Sequence, residues 1–296
     1  MHEYQRLLLV ADPAMRHGLA IKRATELAKV SGASLHVVVI AKLPGLQPFL
    51  DKGSQESAHL HHIETVNAWL REESDLLRCR GIPVSTEVVW SEDPLQSILQ
   101  RVEENRPDML IKDTQHEGLL KRTFITPLDW HLLRECALPV HLIGPSGHAL
   151  PKVVIAAVDV ASADASSERL NSKIIEQAQR LAQQCRAALH LVHALDLTRV
   201  YFGDATGSSV VWADLLGEVK AQLEKAFRRL AERHHIDADH CHLLMESPLQ
   251  ALPEFSEHLK ADVMVMGRVH RSGLNRLVGS TTEHLLYRSP CGILAV

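Results

Sequence analysis

The chain is 296 residues long, 46% hydrophobic and 23% charged, with a formal net charge of -4. These values fit a soluble globular protein of one large or two ordinary domains, without global attraction to nucleic acid or acidic membranes. No run approaches the ~20 apolar residues that span a bilayer, and the first one, "LLLVA", is too short for a signal peptide, so a cytoplasmic protein with no direct nucleic-acid or membrane contact is expected.

Short apolar runs predict strands at Leu7–Ala11 and Leu35–Ala41, with an amphipathic helix over Leu19–Val30 between them. A helix at His59–Arg78 leads to strands at Val84–Trp90, Met109–Ile111 and Val140–Ile143. The same alternation then begins again. Strands fall at Val153–Val158, Leu189–Leu195, His242–Met245, Val263–Met266 and Ile293–Val296, with helices at Ser172–Gln184 and Leu215–Glu232.

The second series copies the first. "ELAKVSGASLHVV" from Glu26 resembles "RLAQQCRAALHLV" from Arg180, "PLQSI" at Pro94 matches "PLQAL" at Pro248, and "DMLI" at Asp108 matches "DVMV" at Asp262. Each pair is 154 residues apart (262 - 108 = 154). "HLLR" at His131 and "HLLY" at His284 are one residue closer. Landmarks at one spacing imply a duplicated domain, with residues 1–146 and 151–296 as the copies and "GPSGHALPK" as the junction. Apolar strands alternating with helices make each copy α/β, a doubly wound domain around a five-stranded, mostly parallel sheet with helices on both faces. Ligands of such domains bind outside the carboxyl ends of the strands, where Asp12 and Asp159 both fall.

The stretch "GRVHRSGLNRLVGS", Gly267–Ser280, leaves the predicted strand "DVMVM" and enters the predicted helix "TTEHLLYR". Ser280 and Glu283 have capping-box spacing, so a capped turn explains part of it. A phosphate cradle explains more. Gly267 would let backbone approach a ligand, Gly279 and Ser280 would offer free N–H groups at a helix start, and Arg268, Arg271 and Arg276 add positive charge. The first copy reads "DTQHEGLLKRTFITPLDW" here, with Asp113 for Gly267, Glu117 for Arg271 and Pro127 for Ser280. Proline removes a backbone donor. Thr126, Pro127 and Asp129 still begin a helix, so any nucleotide site is expected in the second copy only.

On "VVW…P", "TPLDWHLLR", "VMGRVHRSGL…GSTTEHLL" and the terminal strand, the whole chain resembles the universal stress protein family, in particular its tandem two-domain members of the E type. The resemblance implies a fold like that of adenine nucleotide alpha hydrolases and a role in surviving stress. It also implies an adenine pocket with ATP and a magnesium ion on the loop. By position, Asp159 would lie near adenine and ribose, and the Ala194 backbone near the base. Gly267 would open the phosphate loop, with Arg268, His270 and Arg271 along it, and Gly279 and Ser280 would hold the terminal phosphates. The family pattern G-x2-G-x9-G-[ST] is broken twice: His270 replaces the second glycine, and eight residues rather than nine precede Gly279. The resemblance further implies an intrachain pseudo-dimer through the last strands. It leaves a homodimer and an unknown protein partner open.

Other constellations carry less. The five cysteines are scattered without a C-x-x-C, which fits incidental thiols in a reducing compartment. The densest histidine group, "HHIDADHCH" at His234–His242, suggests metal through His234, His235, His240, Cys241 and His242. Adjacent strand residues face opposite sides, so a polar connection with no metal is the expectation. "HLHH" at His59–His62 reads as a solvated helix start. The connections Leu43–Ala58 and Asp196–Trp212 are long enough for lids, apolar ligand grooves or partner surfaces, or for packed loops. No catalytic triad, Walker loop or dinucleotide fingerprint is present. The expectation is a binding module without catalytic residues, with a slow ATPase or a nucleotide-free adaptor as alternatives.

Overall fold

A computed structural model describes residues 3–13, 18–41, 51–114, 128–144, 146–162, 164–195, 209–268, 285 and 288–296. Two compact units divide the chain, Met1–Leu150 and Pro151–Val296. The first runs β1 (Arg6–Val10), α1 (Leu19–Ser31), β2 (Ser34–Ala41), α2 (Lys52–Cys79), β3 (Val84–Trp90), α3 (Pro94–Asn105), β4 (Met109–Asp113), α4 (Leu128–Glu135) and β5 (Val140–Ile143). The second runs β6 (Val153–Ala157), α5 (Ala165–Cys185), β7 (Ala188–Ala194), α6 (Ser209–Arg233), β8 (Cys241–Leu244), α7 (Pro248–His258), β9 (Val263–Met266) and β10 (Gly292–Ala295).

Strand order is β3-β2-β1-β4-β5 in the first unit and β8-β7-β6-β9-β10 in the second, with parallel pairing throughout each. The chain thus winds outward to one edge and returns to build the other, and right-handed crossovers put helices on both faces. In the second unit the two faces can be read from adjacent residues: His193 meets Phe227 of α6, while His242, one register step from its partner Leu243, meets Phe255 of α7. Coverage on both faces explains why β4, β5, β9 and β10 are buried at every position. The outer strands β3 and β8 are only partly buried.

The repeated landmarks have structural reasons. Asp108 accepts the backbone N–H groups of Gln5 and Arg6 at 2.8 and 3.0 Å, and Asp262 does the same for Lys152 and Val153 at 2.6 and 3.2 Å. Each aspartate precedes the fourth strand of its unit and pins the start of the first. The "PLQ" pair places proline in the first turn of α3 and α7, where its missing N–H is no loss.

Helix starts differ from the sequence expectation where a side chain caps the chain earlier. Asp51 accepts the Ser54 N–H, so α2 begins at Lys52 and His59–His62 lie within it rather than at its start. Residues 52–58 of the expected long connection are therefore helical. Asp164 accepts the N–H groups of Ser166 and Ser167 and lengthens α5 toward the chain's N-terminus. Helix α6 likewise starts at Ser209 inside the second expected connection. The remaining parts of both connections, residues 43–50 and 196–208, lie outside the described residues.

Candidate functional site

The early start of α5 carries its first turns over the carboxyl ends of β6 and β9. Asn171 is buried there and makes a reciprocal pair with Asp159, two residues past the end of β6. It accepts the Asp159 N–H at 3.0 Å and donates its amide to the Asp159 carbonyl at 2.6 Å. The Asp159 carboxylate also accepts the Ala161 N–H at 2.9 Å, which tightens the turn. Its side chain stays 67% exposed, so a carboxylate is fixed in place yet open to a ligand.

Beside it stands a residue that sequence reading did not single out. His193, on β7, is buried, with Nδ1 3.0 Å from the Val158 carbonyl and 4.0 Å from an Asp159 carboxylate oxygen. A carbonyl only accepts, so Nδ1 carries the proton. Nε2 is buried, with no hydrogen-bond partner among the described residues. Its neighbour Ala194 ends β7 half-buried, opposite Leu244 in the ladder.

Gly267 follows β9 directly, and its missing side chain has a packing reason. A Cβ there would lie 2.7–2.9 Å from Leu170 Cδ2, Cγ and Cδ1. The close approach expected of a ligand is thus made by an α5 leucine. Arg268 is 4% exposed, and its N–H donates to the carbonyl of Val296, extending the β9–β10 ladder. Partial burial and the Arg268 charge lower the Lys173 pKa, so two cations share this end of the sheet. His270, Arg271, Gly279 and Ser280 lie outside the described residues.

The first unit has the opposite polarity at the same place. Asp113, the counterpart of Gly267, ends β4 and accepts the Ala20 N–H in the first turn of α1 at 3.1 Å. A carboxylate of the chain itself therefore occupies a helix start that could otherwise receive an anion. Burial is the main reason its pKa is raised. Next to it, Lys112 forms a buried ion pair with Asp129 of α4 at 2.8 Å and donates to the Asp113 carbonyl. Thr114, the counterpart of Arg268, donates to the Ile143 carbonyl at 3.0 Å.

Two features lie away from these edges. A groove of about 320 Å³ runs between α6 and β8, lined by Phe227, Ala231, Ile236, Cys241 and Leu243 with charged residues at its rim. The dense histidine group divides at β8: Cys241 faces this groove, whereas His240 and His242 meet His190 of β7. The five cysteines are free thiols. No helix among the described residues is long and apolar enough to cross a membrane.

Comparison with known proteins agrees with this architecture. Residues 3–144 and 152–296 each match the profile of the universal stress protein family. The chain is 28% identical to universal stress protein E of Salmonella typhi, covering 100% of this chain and 95% of that protein. It is 26% identical to the Escherichia coli K12 protein of the same name over the same shares. A solved Pseudomonas aeruginosa PAO1 protein of unknown function superposes with a TM-score of 0.76 at 25% identity, covering 99% of this chain and 92% of that one. An Archaeoglobus fulgidus universal stress protein, at 18% identity and a TM-score of 0.65, shares the fold over 98% of this chain and 95% of its own.

Proposed function

Because the chain belongs to the universal stress protein family, with two of its domains in tandem, we propose that it is a stress-response binding module whose second unit holds an adenine nucleotide. The observation that carries this reading is the reversal of polarity at the end of the fourth strand. The first unit fills the position with the Asp113 carboxylate, hydrogen-bonded to α1. The second has Gly267 there, followed by buried Arg268 and flanked by Lys173. An anion suits the second arrangement and is repelled by the first.

In this reading the exposed Asp159 carboxylate accepts from ribose or adenine, and Ala194 offers backbone at the base. Magnesium would accompany the triphosphate of ATP, with Gly279 and Ser280 as the phosphate donors. The chain's part is to bind and orient. Asn171 fixes the Asp159 backbone while the carboxylate stays exposed, and ATP hydrolysis is not part of the proposal. The location we propose is the cytoplasm.

The test is calorimetric titration of the full chain with Mg-ATP, alongside Gly279→Glu. Saturable binding that the variant loses supports the reading. Absence of binding at millimolar nucleotide overturns it and favours a nucleotide-free adaptor, a role consistent with Leu170 already seated on Gly267.

A further inference from the structure

The duplicated fold allows one position to be compared with itself. In the first unit His36 of β2 faces β3, where its Nδ1 is 2.7 Å from the Ser85 hydroxyl and its Nε2 is 3.6 Å from Glu87. Arg101 of α3 closes the group with a 2.7 Å bond to Glu87. A hydroxyl, a carboxylate and a guanidinium thus surround this imidazole.

At the same place in the second unit every partner has changed. His190 replaces His36 at the repeat offset of 154 (190 - 36 = 154), and Phe255 replaces Arg101 by the same offset (255 - 101 = 154). His242 stands opposite Val192, as Glu87 stands opposite Val38. Nδ1 of His190 lies 3.0 Å from Nε2 of His242. A third imidazole, His240, packs on the His190 ring with centroids 4.8 Å apart, and Phe255 backs His242 at 4.7 Å. An imidazole stands where the carboxylate was, and a phenyl ring where the guanidinium was.

From this substitution pattern we propose that His190 and His242 form a binding site for a divalent transition-metal ion with a preference for nitrogen ligands, Cu(II) or Ni(II). Metal–imidazole bonds of roughly 2.0–2.1 Å set two ligand nitrogens about 2.9 Å apart at a right angle, and wider at a tetrahedral one. The observed 3.0 Å between the facing nitrogens is close to that right-angle spacing, which tetragonal Cu(II) and Ni(II) require of adjacent ligands. Cys241 points to the other face of β8 and lines the α6 groove, so no thiolate competes for a softer ion. Among the described residues no three ligating groups converge as a closed cage would need. The site is therefore an open one, completed by water, and both rings are partly accessible for it. On binding, the N–H shared between the two rings moves to the far nitrogen of the ring that carried it. Both facing nitrogens then present lone pairs, and no proton is lost.

The experiment titrates the untagged full chain with Cu(II) and Ni(II) chloride. His242→Gln and His190→Gln are measured beside His258→Gln, a histidine at the end of α7. We expect one equivalent to bind, and the affinity to fall by about tenfold or more in each of the first two variants, since loss of even an outer-shell partner costs 10–100-fold. The control should be unchanged. A reading without any substitution comes from the wild type: substoichiometric Cu(II) should broaden the His190 and His242 ring resonances first. Equal affinity in all variants, first broadening at other histidines, or no binding would each overturn the site.

Discussion

Leu170 of α5 lies over Gly267 so closely that a Cβ at 267 would meet its Cδ2 at 2.7 Å. The contact joins the N-terminal extension of a helix to the residue that follows the fourth strand of the second unit. Gly267→Ala must push the leucine aside, and overpacking of this kind costs about 1–3 kcal/mol. Adding Leu170→Ala should return most of the loss. Denaturant midpoints of the two single variants and the double variant measure the coupling, and additive losses would contradict it.

Lys112 and Asp129 form an ion pair with side chains 6% and 0% exposed. Removing one partner leaves a buried charge, so Lys112→Met or Asp129→Leu alone should cost about 3–5 kcal/mol. The two together should cost much less, because no uncompensated charge remains. Urea unfolding of the three variants decides this, and a double variant as damaged as the singles would argue against it.

His141 of β5 is fully buried beside Arg23, whose guanidinium lies 3.4 Å from its Nε2. Burial first, and then the Arg23 charge, hold its pKa well below the ordinary 6.5. The unfolded chain therefore takes up a proton that the folded chain refuses. The stability this neutral ring contributes is complete above pH 6.5 and is lost as pH falls. The loss approaches about 1.4 kcal/mol per pH unit. His141→Gln should flatten that acid limb, as read from unfolding midpoints between pH 6.5 and mildly acidic conditions.

Asp113 presents the opposite sign. Burial raises its carboxyl pKa above 3.8, so ionisation costs stability as pH rises through the folded value. Asp113→Asn keeps an acceptor for the Ala20 N–H and removes that cost, so at neutral pH it should be neutral or slightly stabilising. Asp113→Ala loses the helix-start bond and should cost about 1 kcal/mol. Thermal unfolding at pH 7 separates the two outcomes.

Periodicity and the repeat made all ten strands legible, and the Asp and "PLQ" landmarks marked real joints between strands and helices. The first turns of α2 and α5 read as loop because a cap is a local contact of one side chain. In Asp51 and Asp164 it looks like any polar residue in a connection. Of the candidate site, Asp159 was legible from its place at a strand end, but the partners that fix it were not. Asn171 and His193 are brought there by helix and strand packing across 12 and 34 positions of chain (171 - 159 = 12; 193 - 159 = 34). His190 could have been found by aligning the copies, since it falls on His36 at the repeat offset.

By itself, then, the sequence determined the strands, the duplication and the asymmetry between the copies, because these follow from apolar spacing and residue type along one dimension. Only the tertiary structure decided what Gly267 is for, and that His190 and His242 share a 3.0 Å contact. Both depend on distances between elements, which parallel pairing and the long start of α5 fix and which no linear spacing records.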